Sequence, residues 1–301
     1  MNSRISDSAN SSLLTSRINL QRSRLNVLQE RLATGRRINR PSDDPAGAEM
    51  VLNLRTSVKQ LEQFRRSAEA VNLKLTSADD ALSGYENMLD RIKTLVSRGL
   101  SEVSTPETKE AVAVELESLK NSILALANTR SGDDFVFGGT RQNVPPFDPL
   151  TGLPAATTAS PQYVQIEPGS PPVASGVIAE SVFSDSTATI FADLTNAVAA
   201  LRGTGNPAAD RATLTNTMGR MSVYSNRASI AHATVGASSN AAGSAVANLS
   251  SSLLTISERI TEIEGADFAE TAIGLADAQR ALDATLQVAA QGRRSLFDFF
   301  N

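Results

Sequence analysis

Apolar residues recur along two stretches of this chain at the spacing of a helical seam, and they do not do so in between. Leu54, Leu61, Ala68, Leu75, Leu82, Leu89 and Val96 stand seven residues apart. Phe64, Val71, Ala78, Tyr85 and Ile92 fill the position three further on. Later in the chain Leu214, Met221, Ala228, Val235, Ala242, Leu249, Ile256 and Ile263 repeat the pattern, interleaved with Met218, Val246, Leu253 and Ile260. Such spacing puts one apolar stripe on each helix, and a stripe leaves water only against a partner. The expected fold is therefore mainly α. It is a long antiparallel helical rod, a coiled-coil-like bundle formed by the N- and C-terminal segments, with a small β-containing domain inserted in the middle.

Breakers divide the pattern. A first helix is expected from Ser11 to Gly35, with a thinner stripe of Leu14, Ile18, Leu25, Leu28 and Leu32 interrupted by Gln21. Gly35 suits a C-terminal stop. Pro41 and Pro45 exclude a helix interior, and Asp44 followed by Pro45 reads as the cap and first residue of the next helix. That helix runs to Gly99, which at 1.5 Å per residue makes it about 80 Å long. Thr105-Pro106 opens a third helix by the same logic. It carries Val112, Leu116, Leu119, Ile123 and Leu126 on one face and ends near Arg130. From Ser131 the grammar changes. Residues 135–140 read as a short strand and turn, 145–152 as turns, and Tyr163 to Ile166 as alternation. A helix over Ile190 to Arg202 follows, and the last long helix breaks at Gly265-Ala266-Asp267. The final segment carries Ala272, Leu275, Leu282, Leu286 and Ala289 and finishes in Leu296, Phe297, Phe299 and Phe300. The expected division is an N-terminal outer helical segment over 1–44, rod helices over 45–130, and a small variable domain over 131–207. A C-terminal rod helix covers 208–264 and a C-terminal outer segment 265–301.

Composition narrows the function. Among 301 residues there is no cysteine, no tryptophan and one histidine, aromatics are 4%, and net charge is −4. Thiolate metal sites and disulfides are excluded, and no metal or cofactor is expected. The charge gives no reason to expect a nucleic-acid partner. The N-terminus has no apolar signal core, and no run is long enough to span a membrane, so an extracellular role requires export without a cleaved signal peptide. No catalytic constellation emerges, and an enzyme is not expected. Asp43 and Asp44 read as a capping turn, and Asp133, Asp134 and Asp148 as turn carboxylates in no known calcium-loop spacing. His232 lies on the seam between Ser225 and Ser239, where a register-setting polar residue is expected in place of a triad member. Gly138-Gly139 lacks the context of a phosphate loop. Arg36, Arg37 and Arg40 are expected to pair with the nearby aspartates or with a neighbouring subunit.

The segment Thr34-Gly35-Arg36-Arg37-Ile38-Asn39-Arg40-Pro41-Ser42-Asp43-Asp44-Pro45-Ala46-Gly47 resembles a motif of bacterial flagellins and their relatives. The Arg-Pro-Ser-Asp-Asp-Pro version is similar to that of the hook–filament junction proteins of the flagellin superfamily. Phe137-Gly138-Gly139 with Pro145-Pro146-Phe147, the break Glu264-Gly265-Ala266-Asp267-Phe268-Ala269-Glu270, and the ending Ser295-Leu296-Phe297-Asp298-Phe299-Phe300 agree with it. The resemblance covers both ends of the chain and leaves the middle undiagnosed. It implies an extracellular structural subunit of the bacterial flagellum, secreted by type III export and self-assembling as a homo-oligomeric ring or helical tube. The implied partners are a FlgK-type junction protein, flagellin and a FlgN-type export chaperone, with no nucleic acid and no membrane. Subunit assembly is expected to use Leu14, Ile18, Leu25, Leu28, Leu32, Arg36, Arg37, Asn39, Arg40, Asp43 and Asp44, together with Leu275, Leu282, Leu286, Leu296, Phe297, Phe299 and Phe300. A filament flagellin, major or minor, is the alternative within the superfamily, and a cytoplasmic coiled-coil scaffold is the alternative outside it.

Overall fold

A computed structural model describes the backbone of residues 2–155, 159–185 and 187–298, and within these the side chains of residues 12–290. Its elements in order are α1 (Asn2–Thr34), α2 (Pro45–Leu100), α3 (Pro106–Ala127), β1 (Arg130–Ser131), β2 (Asp134–Phe135), β3 (Tyr163–Val164), β4 (Val173–Ala174), α4 (Ala179–Phe183), α5 (Ile190–Arg202), α6 (Pro207–Glu264) and α7 (Phe268–Asp298). The fold is mainly α, as the heptad pattern requires. The helix boundaries fall within a few residues of the breakers, except that α1 begins at Asn2, well before Ser11. Two compact units emerge, one of residues 1–60 with 252–301 and one of residues 61–251.

In the second unit the seam is buried. Ala68, Val71, Leu75, Ala78, Leu82, Tyr85, Leu89, Ile92 and Val96 of α2 share a core with Leu214, Met221, Ala228, Val235 and Ala242 of α6. Polar bonds across the seam give its direction. Ser239 Oγ donates to Asn72 Oδ1 (3.0 Å), whereas Ser229 Oγ donates to Glu86 Oε1 (3.2 Å), so the two segments run antiparallel. His232 is half-buried between them, with Nε2 3.0 Å from Asp79 Oδ1 and Nδ1 3.3 Å from Glu86 Oε2. It is tied to two carboxylates one heptad apart on α2, which fixes the register of this stretch.

Helix α3 starts at a Thr105 cap whose Oγ1 accepts from the Thr108 N–H, followed by Pro106 at the first turn. It buries Val112, Leu116 and Ile123 in the same core, while Leu119 and Leu126 are half-buried against it. Helix α5 is capped likewise by Thr189 and packs on α3, and Arg202 reaches Glu110 (3.2 Å) and Glu117 (3.1 Å).

Between α3 and α5 the strand content is smaller than the sequence suggests. Among the described residues it consists of two antiparallel pairs of two residues each, β1 with β2 and β3 with β4. The short strand expected within 135–140 ends at Phe135, and Val136 and Phe137 are buried in the core. Aromatic packing wins there. The Phe183 ring lies 4.6 Å from that of Tyr85, 5.5 Å from Phe137, 6.1 Å from Phe147 and 6.5 Å from Phe191, between centroids. A chain poor in aromatics has gathered them where a segment too short to make its own core needs anchoring. Asn128, just beyond α3, stands in for a strand neighbour. Its Oδ1 accepts from the Phe147 N–H (3.1 Å) and its Nδ2 donates to the Phe147 carbonyl (2.9 Å).

In the first unit α1 packs against α7. An antiparallel bridge joins Arg36 to Gly265, and Leu28 faces Gly274, so the two helices run in opposite directions. Burial here is incomplete. No described side chain of α1 is fully buried, and among the described residues the buried apolar side chains of this unit are Ile38, Val51 and Ala278.

Candidate assembly site

The densest bonding in the first unit lies where the 35–44 loop meets the end of α6. Gly35 ends α1 with φ +67°, a conformation that side-chain-bearing residues rarely adopt. The loop then pairs with the other break in the chain. The Arg37 N–H donates to the Glu264 carbonyl (2.6 Å) and the Ala266 N–H to the Gly35 carbonyl (3.0 Å).

Side chains reinforce this junction. The Glu264 carboxylate is only 11% exposed. It accepts two bonds from Arg55 Nη2 (2.7 and 2.9 Å) and lies 3.4 Å from Arg36 Nη1. Arg37 Nη2 donates to the Ile263 carbonyl (3.0 Å) and to Asp44 Oδ2 (3.2 Å). One buried carboxylate thus holds the loop, α2 and the end of α6 together, with the charge-assisted bonding that burial of a charge demands.

The two aspartates divide the remaining work. Asp43 Oδ2 accepts from the N–H groups of Arg40 (2.8 Å) and Asn39 (3.0 Å), and these bonds hold its pKa below the usual 3.8. Asp44 Oδ1 accepts from the Gly47 N–H (3.0 Å), capping α2, and that bond lowers its pKa in the same way. Gly47 leaves room that no other residue would. A Cβ there would stand 2.6 Å from Ile38 Cδ1 and 2.7 Å from Asp44 Oδ2. Arg40 turns back to Glu30 on α1 (3.4 Å), and Asn39 Nδ2 donates to the Arg36 carbonyl (3.1 Å). Of the three arginines, then, only Arg37 pairs with an aspartate of the motif.

The apolar candidates sit on the neighbouring helix pair. Leu14, Ile18, Leu25, Leu28 and Leu32 are all half-buried, as are Leu275 and Leu282, and Leu286 is exposed. Phe299 and Phe300 lie outside the described residues, as do the side chains of Leu296 and Phe297. No described helix is long and apolar enough to cross a membrane. Asp148 Oδ1 accepts from the N–H groups of Leu150 and Thr151, which makes it a turn carboxylate.

Residues 5–140 match the family described as the bacterial flagellin N-terminal helical region. This places the motif loop and the α1–α2–α3 succession in a known helical context. The chain is similar to flagellar hook-associated proteins. Flagellar hook-associated protein 3 of Salmonella typhimurium is 24% identical over 126 residues, covering 42% of this chain and 40% of that protein. Its counterpart from Escherichia coli is 25% identical over 193 residues, or 60% of each chain. The matched region thus spans less than two thirds of either relative. A Vibrio parahaemolyticus structure described as flagellar hook-associated superposes with a TM-score of 0.67 at 16% identity, over 74% of this chain and 100% of that one, and shares the fold.

Two features of this chain escape the sequence. One is the partnership of Glu264 with Arg55, which lie 209 positions apart. The other is a polar cluster in the second unit. Arg220 Nε donates to Asp193 Oδ2 (2.5 Å), Arg220 Nη2 lies 3.1 Å from Asp185 Oδ2, and the fully buried Tyr224 donates its hydroxyl to Asp193 Oδ2 (2.7 Å). Burial and the Asp193 carboxylate push the Tyr224 pKa up, while Thr187 and backbone N–H bonds push that of Asp185 down. This cluster ties Asp185 and the first turn of α5 to α6.

Proposed function

We propose that this chain is a structural subunit of the bacterial flagellum. In this reading it is a FlgL-type protein forming the junction between the hook-associated ring and the flagellin filament. It leaves the cell by type III export without a cleaved signal, escorted by a FlgN-type chaperone. It then assembles as a homo-oligomeric ring or short tube between a FlgK-type protein and flagellin. No catalytic role is assigned to it.

The observation that carries this reading is the α1–α7 pair. It holds the apolar stripes of two helices at half burial, with Leu13, Leu20, Ile273 and Val288 exposed beside them. Apolar side chains left exposed along a helix pair suit a surface that neighbours complete. Such stripes offset too little chain entropy alone and become ordered when other copies pack on them. The Glu264 bonds to Arg55 and Arg36 would keep the loop at the base of the pair ordered for that packing.

Immunogold labelling of isolated flagella tests the proposal. A band confined to the distal edge of the hook is the expected result. Labelling along the whole filament would assign the chain to the filament flagellins, a reading that the matched flagellin helical region also favours. Retention of the protein in the cytoplasm of flagellated cells would return it to the coiled-coil scaffolds.

A further inference from the structure

Lysine is scarce in this chain, and one of its five lysines differs from the rest. The set is Lys59, Lys74, Lys93, Lys109 and Lys120. Lys59 is exposed, and Lys93, Lys109 and Lys120 are half-buried. Lys74, on α2, is only 8% exposed. It stands four, seven and eleven residues before Ala78, Ala81 and Tyr85, which are all buried on the same side of the helix. Tyr85 meets the Phe183 ring at the end of that line, so the middle segment covers this side of α2. The Lys74 stem is thus packed where an alanine or leucine would be expected.

Its nitrogen is left without a partner. Lys93 is held by Asp90 (3.2 Å) and Lys120 by Thr195 Oγ1 (3.5 Å), whereas Lys74 makes no hydrogen bond or ion pair among the described residues. Yet Nζ is not sealed from water, so the ammonium ends at the surface while the stem stays packed. Asp134 of β2 favours the charged form from across the interface with the middle segment, without forming an ion pair. Burial counts for more, and it pushes the Lys74 ammonium below its usual 10.5. A larger share of this side chain is free amine than in a solvated lysine. An uncharged, unbonded amine in contact with water is a nucleophile. Turning it into an amide also removes the cost of keeping a charge on a packed stem.

We infer that Lys74 is a site of non-enzymatic acylation on this chain, taking the acyl group of a small acyl phosphate. The Nζ lone pair attacks the acyl carbon, and a C–N bond forms. The bond from that carbon to the phosphate oxygen breaks, and phosphate leaves with the electron pair. The amine proton passes to water. So little of the side chain is exposed that a transferase could not enclose it, whereas a small donor needs to reach only the nitrogen. This inference goes beyond the assembly reading and does not depend on it.

The test is acylation of the full chain by acetyl phosphate, followed lysine by lysine by peptide mass mapping, in the folded protein and in urea. Unfolding places all five amines in the same solvent, so the folded-to-unfolded rate ratio isolates what the fold does to each. The ratio for Lys74 is expected to be severalfold above one and the highest of the five. Lys59 and Lys109, which have no bonded partner among the described residues but are less buried, should stay near or below one. Asp134→Asn should raise the Lys74 rate further and move its pH dependence to lower pH, because no carboxylate then favours the ammonium. Lys74→Arg keeps the charge and should remove the modified peptide. A Lys74 ratio below one, or one exceeded at Lys59 or Lys109, would overturn the inference. So would an Asp134→Asn rate equal to that of the wild type, because a lysine that is merely within reach of the reagent would not respond to the carboxylate.

Discussion

Gly47 shows how narrowly the motif loop is specified. The residue sits in the first turn of α2 with Ile38 on one side and the capping carboxylate of Asp44 on the other, both inside contact distance of any added Cβ. Ile38 is itself buried, so it has little room to yield. Gly47→Ala is expected to destabilise the first unit by about 1–3 kcal/mol, the usual cost of overpacking, in spite of alanine's better helix propensity. Denaturant unfolding followed by a probe on α1 or α7 would measure this, and a neutral or stabilising result would refute the geometry. The aspartates beside it make a separate prediction about pH. Backbone N–H bonds lower the folded pKa of both Asp43 and Asp44 below 3.8, the value expected in the unfolded chain. Groups depressed in this way contribute fully above the unfolded value and lose their contribution as pH falls through the folded one. The hinge should therefore hold unchanged down to about pH 4 and loosen in stronger acid. Asp43→Asn with Asp44→Asn should lower stability at neutral pH and flatten the acid limb, as read by urea midpoints between neutrality and strong acid.

At the scale of the helix, the same heptad spacing produces two different environments. Leu82 and Leu89 of α2 are fully buried between α6 and the middle segment, whereas Leu25 and Leu28 of α1 keep part of their surface in water. Leu82→Ala should cost about 2–5 kcal/mol, the range for a large-to-small change in a filled core. Leu25→Ala should cost well under half as much in the dilute monomer, because less area leaves water on folding. Comparable losses in the two variants, measured on one denaturation series, would mean that α1 is as well covered as α2. Periodicity reveals where a stripe lies but not how much of it its partner covers, and this sets the limit of what the sequence shows. The α2 and α6 seams, the caps at Asp44 and Thr105 and the break at Gly265 were legible because each depends on neighbours a few positions away. The Glu264–Arg55 pair and the Arg220–Asp193–Tyr224 cluster were not legible, because their partners come together only when distant segments fold. The short strand expected within 135–140 gave way for a similar reason. Burying Val136 and Phe137 against distant aromatic rings outweighed the ladder bonds that a longer hairpin would have added.

At the scale of the molecule, these differences predict that the two units have unequal stability. The second unit has one continuous core running from Ala68 to Ala245 and including the aromatic cluster around Phe183. The first has scattered buried residues and relies on the loop and Glu264 bonds for much of its order. Amides protected by sparse burial open at low free energy, whereas those in a continuous core open only near global unfolding. Hydrogen exchange on the dilute chain should therefore show α1 from residue 12 and α7 up to residue 290 exchanging early, with the stretches of α2 and α6 in the second unit protected longest. Limited proteolysis should trim the chain from both ends toward a fragment near residues 61–251. Glu264→Gln should hasten that trimming, because it removes the charge that Arg55 and Arg36 hold. Assembly conditions should reverse the order of events, protecting α1 and α7 as neighbouring copies cover their exposed ridges. Equal protection of α1 and of the central seam in a chain shown to be monomeric would mean that one copy completes its own burial, and the physical case for assembly through the terminal helices would then fail.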